Sequence, residues 1–193
     1  MQKQITFEKY RSIDLGILAV LLTASQILIA VAVKFWFPNE LYIVSPVAAI
    51  TALVMMRWSG YAAIHALLGG LLYTLLSGGD WQQYIIYGVG NLASLLALVL
   101  FKVFGKERIR SNVVLALVYA LCTQLLMQLG RAGLAALFGH SAATCLGFIT
   151  TDALSGLFTL FVIWIVRRIE GLFEDQKTYL LRIERERQLE GRE

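Results

Sequence analysis

Arg131 and Asp152 are the only charged residues between Ser111 and Val166. In an otherwise apolar stretch, a guanidinium and a carboxylate can pair with each other or hold a polar solute by charge-assisted hydrogen bonds. Gln124, Gln128 and Arg131 follow at spacings of four and three, which puts them on one face of a helix. Asn91 lies seven residues beyond Tyr84, roughly 10 Å along a helix and on the same face. Two neighbouring segments carry aromatic and polar residues: Lys34 to Glu40, with Trp36 and Asn39, and Ser77 to Tyr84, with Trp81. Together these types describe recognition of a small ring. Asn91, Gln128, Arg131 and Asp152 would supply hydrogen bonds, and Trp36, Trp81 and Tyr84 would supply stacking surfaces. Plainer roles exist for each. The aromatics suit an interfacial belt, Arg131 can snorkel or pair structurally with Asp152, and His65 suits a packing position.

Covalent and hydrolytic chemistry finds little support. The chain has no HExxH, no GxSxG and no phosphate-binding GxxxxGK[ST]. Its two histidines, His65 and His140, stand far apart. A triad could be drawn from Ser141, His140 and Asp152, but adjacent Ser and His do not by themselves supply the geometry. Cys122 and Cys145 lack CxxC spacing and a nearby histidine ligand, so they read as small hydrophobes. No catalytic residue, metal ligand or cofactor is assigned.

The elements that must position these residues are membrane helices. Of 193 residues 58% are hydrophobic and 16% charged, with mean hydropathy +0.68; a soluble domain is typically about 25% charged. Charge is also segregated, with 12 charged residues in Glu170 to Glu193 and five between Ser12 and Phe101. Apolar runs cover Leu15–Val33, Leu41–Met56, Tyr61–Leu76, Tyr84–Phe104, Val113–Phe138 and Leu146–Val166. The second and third runs correspond to roughly 24 Å of helix against a bilayer core of about 30 Å. They are either a tight hairpin of short spans or a re-entrant pair. The pattern predicts an all-α protein with six transmembrane helices. Residues 1–168 form the membrane domain and 169–193 a charged helical tail that continues the sixth helix. Lys3, Lys9 and Arg11, then Arg57, then Lys102 to Arg110, then Arg167 and Arg168 all fall on one side of such a bundle. The positive-inside rule makes that side, with both termini, cytoplasmic. The net charge of +4 thus belongs to loops that set orientation, and does not argue for nucleic-acid binding.

The chain resembles the substrate-binding S component of an energy-coupling factor (ECF) vitamin transporter over about residues 12–168. The resemblance rests on size, six helices, short second and third helices, and local texture. That texture runs from Ser45-Pro46-Val47-Ala48-Ala49-Ile50 through Gly69-Gly70-Leu71-Leu72-Tyr73 to Ser77-Gly78-Gly79. It implies a subunit of the bacterial cytoplasmic membrane that captures a vitamin-like small molecule at the outer face. A transmembrane coupling subunit and two ATPase subunits would then be its partners, and ATP hydrolysis would reside in them. Riboflavin, thiamine and cobalamin all fit this expectation. Many members dock through Ala-xxx-Ala on the first helix; here Ala19 and Thr23 stand in that spacing, so the strict motif is missing. Ala62, Ala66 and Gly70 on the third helix offer a second small-residue face for docking, or for packing within the bundle. The rival reading is a non-transport module, sensor-like or involved in cell shape, that speaks to a cytoplasmic partner through its charged tail. Six spans predict that a C-terminal fluorescent-protein fusion lights up while a reporter active only outside the cytoplasm stays silent; the reverse pattern overturns the topology.

Overall fold

A computed structural model describes residues 6–36 and 44–190. Ten α-helices follow one another, and no strand occurs among the described residues. They are α1 Phe7–Trp36, α2 Val47–Trp58, α3 Ala62–Ser77, α4 Trp81–Asn91, α5 Leu98–Phe104, α6 Lys106–Ser111, α7 Val113–Leu137, α8 Ala142–Thr150, α9 Ala153–Val166 and α10 Gln176–Glu190. Five stretches are long and apolar enough to cross a membrane: Phe7–Trp36, Val47–Ser77, Trp81–Phe104, Val113–Leu137 and Ala142–Val166. Leucines, isoleucines and valines such as Ile17, Val20, Leu28, Leu129 and Leu157 stand exposed around the outside, as a lipid solvent requires.

The second of these stretches, α2 with α3, is folded back on itself. Ser59 turns the chain with φ 53°. A Cβ on Gly69 would stand 2.5 Å from a Val47 methyl, so the start of α2 lies beside the middle of α3. This is a hairpin. Its first arm is shorter than the apolar run that announced it, because α2 begins only after Pro46, and proline disfavours helix in the residue before it. Every residue of α2 is buried. A helix that is apolar all round belongs inside a bundle, and α1, α3, α7 and α9 surround it. Tyr119 of α7 donates a 2.7 Å hydrogen bond to the Ala52 carbonyl.

Close backbone approach holds the neighbouring helices. A Cβ on Gly130 would meet the Gly90 carbonyl oxygen at 2.2 Å, and one on Gly70 would meet the Tyr87 carbonyl oxygen at 2.1 Å. Small residues therefore bring α7 onto α4 and α4 onto α3, the packing mode available where lipid removes the hydrophobic drive. This corrects one expectation. Ala62, Ala66 and Gly70 are buried between helices, so they pack the bundle and do not offer a face to a partner.

The first turns of α1 and the segment leading into α10 meet at one end of the bundle. Arg57, closing α2, donates to both carboxylate oxygens of Asp14 at 2.9 and 2.7 Å, and to the carbonyls of Gly171 and Leu172 at 2.6 and 2.9 Å. Trp58 Nε1 also donates to Asp14. The tail does not continue the sixth helix. The chain leaves helix after Val166 and turns through residues 167–175 before α10 begins. Phe173 is buried against Tyr119, Gln176 accepts from the Tyr10 hydroxyl at 2.9 Å, and Glu174 pairs with Arg110 and Arg182 at 3.2 and 3.1 Å. A straight continuation would leave Phe173 in water and Arg57 without its carbonyl acceptors. Asp175 pairs with Lys106 at 2.7 Å. Burial works to raise its carboxyl, but Lys106 and Thr178 outweigh burial and hold it below the usual carboxylate range. That contribution is complete above the ordinary carboxylate range and is lost as pH falls through the lowered value.

The crossing of α4 and α7 yields a direct test. Gly130→Val should lower stability by about 1–3 kcal/mol through overpacking, read as a fall in Tm in detergent. Gly133→Val, at a position where an added Cβ meets nothing within 4 Å, should stay within about 0.5 kcal/mol of the parent. Equal effects at both positions would contradict the close crossing.

Candidate functional site

Three elements bring polar residues together inside the bundle. Helix α7 presents Gln124, Gln128 and Arg131 on one face, all buried. Asn91 closes α4 and is fully buried. Asp152 lies between α8 and α9, where the last apolar stretch breaks its helix. A second irregularity follows Asn91, where Leu92–Ala97 winds as a 3-10 helix before α5. Backbone that departs from α-helix at membrane depth is tolerated where protein buries it or a cavity is lined by it. Both departures here border the same polar cluster.

Arg131 Nε donates to Asn91 Oδ1 at 2.7 Å, and Asn91 Nδ2 donates in turn to the Ala66 carbonyl at 2.9 Å. Arg131 Nη1 donates to Gln128 Oε1 at 3.2 Å and stands 3.7 Å from Asp152 Oδ2. The same carboxylate oxygen accepts from Gln124 Nε2 at 2.9 Å and from Gln128 Nε2. The guanidinium also lies 4.9 Å from the centroid of the Tyr87 ring, a favourable cation–π placement. Its remaining edge, Nη2, has the Met127 sulfur at 3.5 Å, a weak acceptor. Gln124 Oε1 is buried without a hydrogen-bond partner among the described residues. The pair is therefore neutralised as a unit but retains hydrogen-bonding capacity.

A cavity of about 100 Å³ opens beside it. Gln128, Arg131 and Asp152 form its polar side, while Tyr73, Tyr87 and Phe148 wall it with rings. Tyr87 packs on Tyr73 at 4.6 Å and edge-on to Phe148 at 5.7 Å between centroids. Ser45 joins the wall, and its N–H donates to Ser155 Oγ at 2.8 Å, tying the start of α2 to α9.

Of the sequence candidates, Asn91, Gln128, Arg131 and Asp152 converge as one cluster. The stacking residues do not. Trp36 is 74% exposed and Trp81 64% exposed, with the Trp81 ring edge-on to Phe138. Tyr84 is half-buried and outside the cavity wall. Asn39 lies outside the described residues. The aromatic walls are instead Tyr73, Tyr87 and Phe148. Tyr87 was legible in one respect, since it stands four residues before Asn91 and so shares its helix face. Ala19 and Thr23 are partly exposed on α1, with the Thr23 hydroxyl donating to the Ala19 carbonyl. His65 is fully buried and its Nε2 lies 3.1 Å from the Leu15 carbonyl, a packing contact between α1 and α3. Cys122 and Cys145 are half-buried and free, and no metal-binding cluster occurs among the described residues.

Comparison with protein-family models, curated proteins and solved structures finds no match.

The Arg131–Asp152 pair can be tested as a unit. Arg131→Met and Asp152→Asn should each lower Tm, and the double variant should lose less than the sum, with a coupling of about 0.5–3 kcal/mol. Additive losses would show that the two side chains act independently.

Proposed function

We propose that this protein is a solute-capture subunit of the ECF type, which holds a vitamin-like small molecule in the cavity beside Arg131 and Asp152. The observation that carries the reading is a buried, charge-balanced cluster with hydrogen-bonding capacity left over, set against aromatic walls. Polar groups are costly at membrane depth, and convergent ones there mark solute sites. A contrast within the molecule sharpens this. Arg57 is buried to the same degree as Arg131, but its partners are carboxylate and carbonyl oxygens throughout. That saturation suits a structural clamp. Arg131 keeps an edge served by sulfur alone, which suits ligand recognition.

In this reading six helices cross the bacterial cytoplasmic membrane, with the two arms of the α2–α3 hairpin as short spans. The end bearing Arg57, Lys106 and Arg110 is cytoplasmic, and the cavity serves the opposite face. The chain is not itself an enzyme. A transmembrane coupling subunit and two ATPases would supply the work of import. Ala19 and Thr23 on α1 remain the small-residue surface for that coupling subunit.

A second reading, a non-transport module that signals to a cytoplasmic partner, is favoured by the fastening of the segment before α10. Arg57 and Phe173 root that segment in the bundle, so a charged helix issues from a fixed point. Purification followed by mass spectrometry of bound small molecules, with identification of copurifying proteins, separates the two. A stoichiometric small molecule and ATPase subunits are expected. Arg131→Ala or Asp152→Ala should weaken binding of that molecule about tenfold, or about 1.4 kcal/mol. A protein free of small molecules that copurifies with a kinase or cell-wall enzymes would overturn capture in favour of the second reading.

A further inference from the structure

The arginines and lysines at the Arg57 end of the bundle are not all alike. Arg57, Lys106, Arg110 and Arg182 each hold a carboxylate. Arg167 and Arg168, which follow α9, have no carboxylate partner among the described residues. Arg167 is half-buried. Its Nη2 donates to the Ser111 carbonyl at 3.0 Å, and its Nε is covered without an acceptor among the described residues. Arg168 is exposed, and its guanidinium lies 4.1 Å from the centroid of the Trp164 ring. That placement occupies the face of the guanidinium and leaves its N–H edge without a hydrogen-bond partner among the described residues. The last apolar stretch ends at Val166, so both guanidiniums stand where hydrocarbon gives way to headgroups.

Trp164 belongs to an exposed apolar strip. Leu157, Phe161 and Trp164 follow at spacings of four and three, so they share one face of α9. All three are exposed, and the rings of Phe161 and Trp164 stack at 6.3 Å. Arg168, four residues beyond Trp164, closes the same face. From Leu157 to Arg167 the helix rises about 15 Å, half of a bilayer core of about 30 Å.

From this placement we infer that the end of α9 binds one anionic phospholipid, with its phosphate at Arg167 and Arg168 and an acyl chain along Leu157, Phe161 and Trp164. The guanidinium fork matches phosphate oxygens, and two adjacent arginines without carboxylates leave a charge for an anion to balance. Basic sites at the cytoplasmic ends of membrane helices bind anionic headgroups, and this end is the cytoplasmic one in the orientation proposed for the chain. The headgroup is anionic overall because no carboxylate is left for the ammonium of a zwitterionic lipid. Glu170 is turned to Arg182, and Glu107 to Arg110. A lipid suits the face better than a protein, because the strip is apolar, one leaflet deep, and ends in cations at the headgroup level. The site lies apart from Arg131 and Asp152, and its occupancy does not depend on solute capture.

Native mass spectrometry of the delipidated full chain tests this, by titration with phosphatidylglycerol and with phosphatidylcholine of the same acyl chains. Phosphatidylglycerol should bind at least about fivefold more tightly, the worth of roughly one basic residue at a membrane surface. The double variant Arg167→Gln/Arg168→Gln should bring the two lipids level. The double variant Lys9→Gln/Lys177→Gln removes the same charge from exposed positions of the first and last helices and should keep the preference. Millimolar glycerol 3-phosphate should leave the lipid in place; displacement would reduce the site to one for free phosphate and overturn the lipid assignment. Leu157 replaced by p-benzoylphenylalanine and irradiated in membranes should give phospholipid adducts, whereas adducts with a second copy or another protein would give the face to that partner instead. Equal binding of the two lipids by the parent chain, or equal loss in both double variants, would overturn the site. The comparison of lipids on the parent chain is decisive even if a variant fails to fold.

Discussion

A guanidinium inside an apolar bundle must be surrounded by acceptors, and much of this fold follows from meeting that demand for Arg131. Its Nε takes Asn91 Oδ1, which fixes the end of α4. Its charge takes Asp152, which sits where the last apolar stretch breaks its helix. Gln128 and Gln124, one and two turns earlier on α7, fill the gap between cation and carboxylate with amide hydrogen bonds. The contact with Asn91 is reachable only where α4 and α7 cross at contact distance, and Gly90 against Gly130 provides that crossing. The amide that orients Arg131 and the glycine crossing are thus one constraint seen from two sides.

The molecule has a second buried arginine, and comparing the two separates structure from recognition. Arg57 closes the opposite end of the bundle, with Asp14 gripping it through both oxygens and two backbone carbonyls completing its shell. Such a site has no remaining valence for a ligand. It binds the start of α1, the end of α2 and the segment after α9 into one knot. Arg131 is held by longer and more indirect contacts and borders open space. Burial and charge are alike in the two; the difference lies in how completely the hydrogen-bonding shell is filled.

Helix α2 links these two poles. It is fully buried, it ends in Arg57, and just ahead of its first turn Ser45 is bonded to Ser155 in the cavity wall. A rod of 12 residues, about 18 Å long, therefore spans from the knot to the polar site without touching solvent. The chain is a multi-pass helical membrane protein whose one wholly buried helix among the described residues is its centre. The longer helices around it present their leucines and isoleucines outward.

The sequence by itself determined the helical class, the apolar stretches, the placement of basic residues with both chain ends, and the polar members of the site. Those properties follow from composition and from the 3.6-residue period. A polar residue in an apolar helix is conspicuous wherever it falls, and Arg131 and Asp152 could not be overlooked. Tertiary structure alone decided which aromatics face the cavity, because Trp36, Trp81, Tyr73 and Tyr87 look alike in sequence and differ only in which neighbour they meet. It also decided that Ala62, Ala66 and Gly70 are interior, since a small residue serves a helix inside the bundle and a partner outside it equally well. The break at Asp152 and the turn after Val166 belong to the same category. Local propensity would have continued both helices, and the long-range needs of two buried arginines, for a carboxylate in one case and for backbone carbonyls in the other, are met only where the helices stop.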